Sequence, residues 1–165
     1  ALDFDLNCIN LIRVDNLLES RIIRNNSPSI LIPEKYGYQT TIIHSKGASP
    51  WTNDVSNPFD TKRYGVVKFF LQLFIRGNPF LGEINKDKWI STVQQLQKSN
   101  QLLGLVVFGS PYAWDEFSNI LDPSIPSAYS PGQMPIAQKK VLLSLFRFPE
   151  NSSNNKGSIQ DIFTD

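Results

Sequence analysis

The groups in this chain that could do chemistry are few. Carboxylates that fall at strand ends are Asp15, Glu83 and Asp115, with Glu116 next to the last. Asp15 and Asp115 stand where helix caps or first turns belong, which favours a structural role. Acid–base cleavage by a carboxyl pair needs two such groups flanking one bond, and no pair here reads as catalytic. His44 is the single histidine. A Ser–His–Asp set would have to join it to Ser110. However, Phe108-Gly109-Ser110-Pro111-Tyr112 is not the Gly-x-Ser-x-Gly of a nucleophile elbow. Cys8 is the single cysteine, which excludes an internal disulfide and a cysteine-based zinc site. It opens an apolar segment and reads as a packed thiol. No dinucleotide or phosphate-loop glycine motif occurs, and no His/Cys/carboxylate cluster suggests a metal. The sequence therefore predicts no catalytic residue, no metal and no cofactor.

What remains is a pair of strand-end loops. Leu103 to Phe108 is an apolar run rich in β-branched residues, without polar alternation, as expected for a central strand covered on both faces. Gly109 and Pro111 stop it. Ser110 is placed to cap a helix that has Pro111 at its first position, where a missing N–H costs nothing. Val66 to Arg76 is a second long strand candidate, ending in Gly77-Asn78-Pro79-Phe80. Gly77 and Gly109 lie 32 positions apart, the length of one β-loop-α-β unit. If the two strands are parallel neighbours, both loops land on the same edge of the sheet, where ligands and partners bind in doubly wound folds.

Around these loops the chain punctuates itself. Asn7 to Val14 reads as a strand, with Cys8, Asn10, Ile12 and Val14 on one face and Ile9, Leu11 and Arg13 on the other. Asp15 can cap a helix over Asn16 to Arg24. Ser29 to Ile32 is a short apolar run; Pro33 can open a helical turn, and Gly37 closes it. Gln39 to His44 is a short β-branched strand. Ser45 to Tyr64 shows no periodicity and reads as a long loop anchored by Trp51 and Phe59. Asn85 to Ser99 is the clearest helix, capped by Asn85 or Asp87, with Trp89, Ile90, Val93, Leu96 and Gln97 as its stripe. Ser127 to Tyr129 is a last short strand. Pro135 opens a final helix whose inner stripe is Ile136, Val141, Leu142, Leu145 and Phe146. The alternation predicts a three-layer α/β sandwich with a mostly parallel sheet, flavodoxin-like in outline. It spans residues 1–149, followed by a polar tail over 150–165.

Bulk properties exclude several classes. The chain has 165 residues, 41% of them hydrophobic, enough for one domain with a core of its own. Its net charge is +1, and Lys62-Arg63 and Lys139-Lys140 are its longest basic runs. A nucleic-acid partner, which needs a concentrated basic face, is not expected. No apolar run is long enough to span a membrane, and the first residues do not form a signal peptide. One cysteine fits a reducing compartment, so a cytoplasmic location is favoured. Without an initiator Met, the chain is expected to be a fragment of something longer.

Several segments, taken in order, resemble one family. They are Leu11-Ile12-Arg13-Val14-Asp15-Asn16-Leu17-Leu18, Pro28-Ser29-Ile30-Leu31-Ile32-Pro33 with Tyr36-Gly37-Tyr38, and Phe74-Ile75-Arg76-Gly77-Asn78-Pro79-Phe80. Val107 to Tyr112 follows, then Ala128-Tyr129-Ser130 with Gln133, Ala137, Gln138 and Leu145-Phe146. Together they resemble the carboxyl-terminal domain of family 3 glycoside hydrolases, in the bacterial, β-N-acetylhexosaminidase-like branch. The resemblance implies an amino-terminal (β/α)8 barrel in the same polypeptide, with the nucleophilic Asp on that barrel. In the hexosaminidase-like branch the acid/base also lies on a barrel loop. In the β-glucosidase-like branch it is a Glu of the second domain, and nothing here matches the surroundings of that Glu. No catalytic residue is therefore carried over, and this chain alone is expected not to hydrolyse glycosides. Its implied role is to pack on the barrel and shape the site for a carbohydrate substrate. Arg76, Asn78, Ser110, Tyr112 and Gln133 are the candidates at the strand-end loops for contact with substrate or barrel. Alternatives are a stand-alone carbohydrate-binding or scaffold domain, in which Trp51 and Tyr112 could stack on sugar, or a flavodoxin-like or receiver-like module. A receiver would need an acidic cluster after its first strand, where only Asp15 stands, and Thr40-Thr41 lie inside a strand rather than in a flavin-phosphate loop.

Overall fold

The computed structural model describes residues 2–14, 23–43, 67–77 and 89–146. The helix expected over Asn16 to Arg24, the Ser45 to Tyr64 loop, His44, Asn78, Glu83 and the 150–165 tail fall wholly or mostly outside them. Five strands, β1 (Cys8–Val14), β2 (Gln39–Ile43), β3 (Lys68–Ile75), β4 (Leu102–Gly109) and β5 (Ser127–Ser130), form one sheet. Its order is β2-β1-β3-β4-β5 and every pairing is parallel. This is the flavodoxin-like strand order, and the expected α/β sandwich is borne out. Four helices are described: α1 (Pro28–Lys35), α2 (Trp89–Lys98), α3 (Pro111–Ile120) and α4 (Pro135–Leu145).

The long apolar strands are buried on both faces, as parallel pairing requires. On one face Ile12, Phe70, Phe74 and Phe108 pack with Ile30 and Ile32 of α1 and with Leu142 and Leu145 of α4. On the other, Leu71, Leu73, Leu105 and Val107 pack with Trp89 and Val93 of α2 and Phe117 of α3. Phe74 and Phe108, paired across β3 and β4, stack with ring centroids 4.3 Å apart. The α2 stripe is buried at Trp89, Ile90, Val93 and Leu96. Gln97 stands beside it and clamps the end of α3: its side-chain amide donates to the Ile120 carbonyl and accepts from the Asp122 N–H.

Two expectations are corrected. Pro28, not Pro33, opens the first described helix, and Pro33 lies inside it. An internal proline has no N–H for the carbonyl four residues earlier, here that of buried Ser29. Side chains from the sheet supply the donors. Asn10 Nδ2 and Gln72 Nε2 each donate to the Ser29 carbonyl at 2.8 Å. Gln72 Nε2 also donates to Asn10 Oδ1 at 2.7 Å. The second correction concerns α4, where Ile136 is 85% exposed and Gln138 is fully buried. The buried face runs through Gln138, Leu142 and Leu145. Ile136 is two residues from Gln138, about 200° around the helix, and so points away from the core.

The chain starts at the amino edge of the sheet. Leu2 bridges Phe146, its N–H donating to the Leu145 carbonyl at 2.8 Å. The Asp5 N–H reaches the Tyr36 carbonyl, and the Tyr38 hydroxyl donates to the Asp3 carbonyl. Exposed Phe4 and Leu6 lie over Gly37, which closes α1 at φ 85°.

Two outcomes are expected. Asn10→Leu removes one donor to the Ser29 carbonyl and leaves a buried N–H of Gln72 without its acceptor. The cost is about 1–3 kcal/mol, read as a fall in melting temperature of about 2–4 °C per kcal/mol for a chain of this size. An unchanged melting temperature would deny the network a structural role. The second outcome is alkaline. Burial raises the Cys8 thiol well above its ordinary 9.0, with Asp5 adding to the effect, and raises the Tyr38 hydroxyl well above its ordinary 10.0, with neighbouring acidic groups adding to it. Folded, both keep protons that the unfolded chain gives up. Their contribution is therefore intact below about pH 8 and falls as pH rises past the unfolded values, by about 1.4 kcal/mol per pH unit for each group ionised only in the unfolded chain. Denaturant titrations from neutral to alkaline pH check this; stability that climbs above pH 9 would contradict it.

Candidate functional site

The loops that follow β3, β4 and β5 meet at the carboxyl edge of the sheet. β3 and β4 are parallel neighbours, with Ile75 opposite Gly109, so the segments that begin at Arg76 and Ser110 leave the sheet side by side. Ser110 joins them. Its N–H donates to the Ile75 carbonyl at 2.9 Å and its hydroxyl donates to the Gly77 carbonyl. The same hydroxyl oxygen accepts from the Ala113 N–H at 3.1 Å, the helix cap read from the sequence. Ser110 is buried and its side chain is occupied by these bonds. It acts as the tie between the two loops.

Gly109 sits at φ 101°, a conformation that favours glycine. A Cβ there would collide with the Ile75 carbonyl oxygen and with the side-chain amide of Gln133. That amide donates to the Phe108 carbonyl at 3.3 Å, so the loop after β5 folds back over the end of β4. Gln138 Nε2, from inside α4, donates in turn to the Gln133 carbonyl at 2.9 Å. The Tyr129 hydroxyl donates to the Gly109 carbonyl at 2.9 Å, and its ring stacks on Trp114 with centroids 5.9 Å apart. Burial, with Asp115 adding to it, raises the Tyr129 hydroxyl above its ordinary value, so it stays a donor at neutral pH.

Of the residues expected at this edge, four are placed there. Arg76 is exposed after β3; Ser110 ties β3 to β4; Tyr112, on the first turn of α3, is 56% exposed; and Gln133 lies against Gly109. Asn78 lies outside the described residues. The edge also presents Pro111, Pro131, Met134, Pro135 and Ile136, all exposed and uncharged. Asp115 is not in the first turn of α3: Ser110 is the cap, and the first turn holds no acidic residue.

Arg13 escaped the sequence reading as a site residue. It is fully buried near the carboxyl end of β1, with its guanidinium carbon 5.7 Å from the Trp89 ring centroid. The signal was present in the sequence, a permanently charged group inside a strand whose only other polar side chain is Asn10. It stands on the α2 face of β1, where the sheet order reverses between β1 and β3.

Among the described residues there is no group of three His, Cys, Asp or Glu able to hold a metal ion. Ser110 has its hydroxyl engaged by backbone groups, and no base among the described residues bonds to it. The edge is tied by hydrogen bonds through its backbone and, among the described residues, exposes the Arg76 cation and the Tyr112 ring.

The model of the bacterial glycosyl hydrolase family 3 C-terminal domain matches residues 3–147. A comparison with curated proteins finds none that matches. The matched span covers every described element, from β1 with its buried Asn10 and Arg13 to α4 with its buried Gln138. The chain therefore belongs to the family of bacterial glycosyl hydrolase family 3 C-terminal domains.

Proposed function

We propose that this chain is the C-terminal accessory domain of a glycoside hydrolase of β-N-acetylhexosaminidase or β-glucosidase type. It packs on an amino-terminal (β/α)8 barrel of the same polypeptide, which holds the nucleophile, and shapes the sugar site with the carboxyl edge of its sheet. The observation behind this reading is the edge itself: Gly77 after β3, Ser110 after β4 and Gln133 after β5 are tied to the strand ends by hydrogen bonds, while Arg76 and Tyr112 stand exposed. A surface fixed in advance loses little side-chain and loop freedom on contact. Arg76 and Asn78 are the polar groups assigned to the sugar or to the barrel loop beside it, Tyr112 to stacking, and Ser110 and Gln133 to holding the loops. In this reading residues 1–149 are the accessory domain and 150–165 a tail. Among the described residues no helix is long and apolar enough to cross a membrane. A reducing compartment such as the cytoplasm suits the single buried thiol.

A second reading is favoured by one feature, the exposed ring of Tyr112. An aromatic face on a rigid surface is also what a stand-alone carbohydrate-binding module offers.

Hydrolysis of 4-nitrophenyl N-acetyl-β-glucosaminide and 4-nitrophenyl β-glucoside, by this chain and by the longest native chain that contains it, separates the possibilities. Only the longer chain is expected to be active. In it, Tyr112→Ala and Arg76→Ala should each raise KM about 5- to 30-fold, equivalent to about 1–2 kcal/mol of contact. Turnover by this chain alone would overturn the accessory role. Inactivity of both chains, with sugar binding by this one, would favour the stand-alone module.

A further inference from the structure

A line of buried amides runs from the middle of the sheet to the carboxyl edge. It begins where Gln72 of β3 and Asn10 of β1 both donate to the Ser29 carbonyl. The Ser29 N–H lies in the first turn of α1, where no helical acceptor is available. It donates to Gln138 Oε1 at 3.3 Å. Gln138 Nε2 then donates to the Gln133 carbonyl, and Gln133 Nε2 to the Phe108 carbonyl. The orientation of Gln138 is forced, because an N–H can only donate and a carbonyl can only accept. Its side chain is fully buried although it stands next to two lysines, Lys139 and Lys140, on a helix with polar positions to spare. A leucine would fill that space, but only a residue with both an acceptor and a donor joins α1 to the β5–α4 loop.

The geometry points to Gln138 as a positioning residue. It holds the Gln133–Met134 segment, and through the Gln133 side chain the Gly109 turn, in the one arrangement that meets the substrate-bearing domain. This inference rests on the accessory-domain reading and adds to it the buried group that sets the contact surface. Gln138 touches neither sugar nor barrel; it acts through Gln133.

The test is a kinetic cycle in the longest native chain, using the same 4-nitrophenyl glycosides. Gln138→Met keeps the volume and removes both hydrogen bonds. It is expected to raise KM about 3- to 10-fold, the equivalent of one lost buried hydrogen bond, with a smaller change in kcat. Gln133→Ala is expected to raise KM on its own, and the effect of Gln138→Met on KM should shrink in the Gln133→Ala background by the part that passes through the Gln133 side chain to the Gly109 turn. Gln138→Met should still lower the melting temperature in that background, since the Ser29 contact of Gln138 does not pass through the Gln133 side chain. A purely structural Gln138 would lower the melting temperature and leave KM unmoved, which overturns the inference. If Gln138→Met does not fold, Gln138→Glu is the second variant. Its carboxylate still accepts from the Ser29 N–H but has nothing to donate to the Gln133 carbonyl, and an unchanged KM there overturns the inference equally. If Gln133→Ala and Tyr112→Ala both leave KM unchanged, the accessory-edge reading itself fails and the positioning role falls with it. If Gln133→Ala raises KM and Gln138→Met does not, only the positioning role fails.

Discussion

A single carbonyl freed inside a buried helix constrains much of this domain. Pro33 lies inside α1 and cannot donate to Ser29, whose carbonyl faces the sheet. Leaving such a group unpaired in the core would cost a large share of a domain's net stability. The solution is polar residues at interior strand positions, Asn10 on β1 and Gln72 on β3, where purely apolar side chains would otherwise serve. The two strands are thereby held in register, since Asn10 stands opposite Phe70 and only in this pairing can the Gln72 amide reach both Asn10 and Ser29. A one-residue slip would turn every side chain of the strand to the opposite face. The amide pair is thus a register pin as well as a hydrogen-bond donor.

From this centre the structure leads outward to its exposed edge. The Ser29 N–H takes one end of Gln138, and the other end takes the loop after β5. That loop lies on Gly109, which allows the approach because it has no side chain. Ser110 continues the line to the loop after β3. The described starts of the loops after β3 and β4 and the loop after β5 are therefore tied to the core. That suits the proposed docking of this edge on a neighbouring domain. Among the described residues the edge exposes a cation, an aromatic ring and a row of prolines and aliphatic side chains.

Local features of the chain were legible in the sequence where the chemistry is local. The Leu103 to Phe108 run reads as a doubly covered strand because no polar residue interrupts it. The Ser110 cap reads from a hydroxyl placed directly before Pro111. The neighbouring positions of the β3 and β4 endings follow from their spacing, and with them the gathering of Arg76, Ser110 and Tyr112 at one edge. What the sequence hid depends on partners far along the chain. Pro33 reads as a helix opener because its compensation comes from Asn10 and Gln72. Ile136 reads as inward by hydrophobicity alone, yet Gln138 takes the inner face, where Ser29 and Gln133 bond its amide. Arg13 inside a mainly apolar strand gave a signal, but its neighbour Trp89 lies on another element. The contact between Gln133 and Gly109 requires the loop after β5 to fold back, which no local pattern announces.

In the proposed accessory role, the carboxyl edge of this sheet is the face that meets the catalytic domain. Amide hydrogen exchange, followed residue by residue in this chain and in the longest native chain containing it, tests that most directly. The account predicts slower exchange in the longer chain at residues 76–77, 109–114 and 131–136, with the central strands unchanged. Slower exchange confined to the amino edge, at residues 2–6 and 36–37 where Phe4 and Leu6 lie exposed over Gly37, with the carboxyl edge exchanging as before, would contradict it.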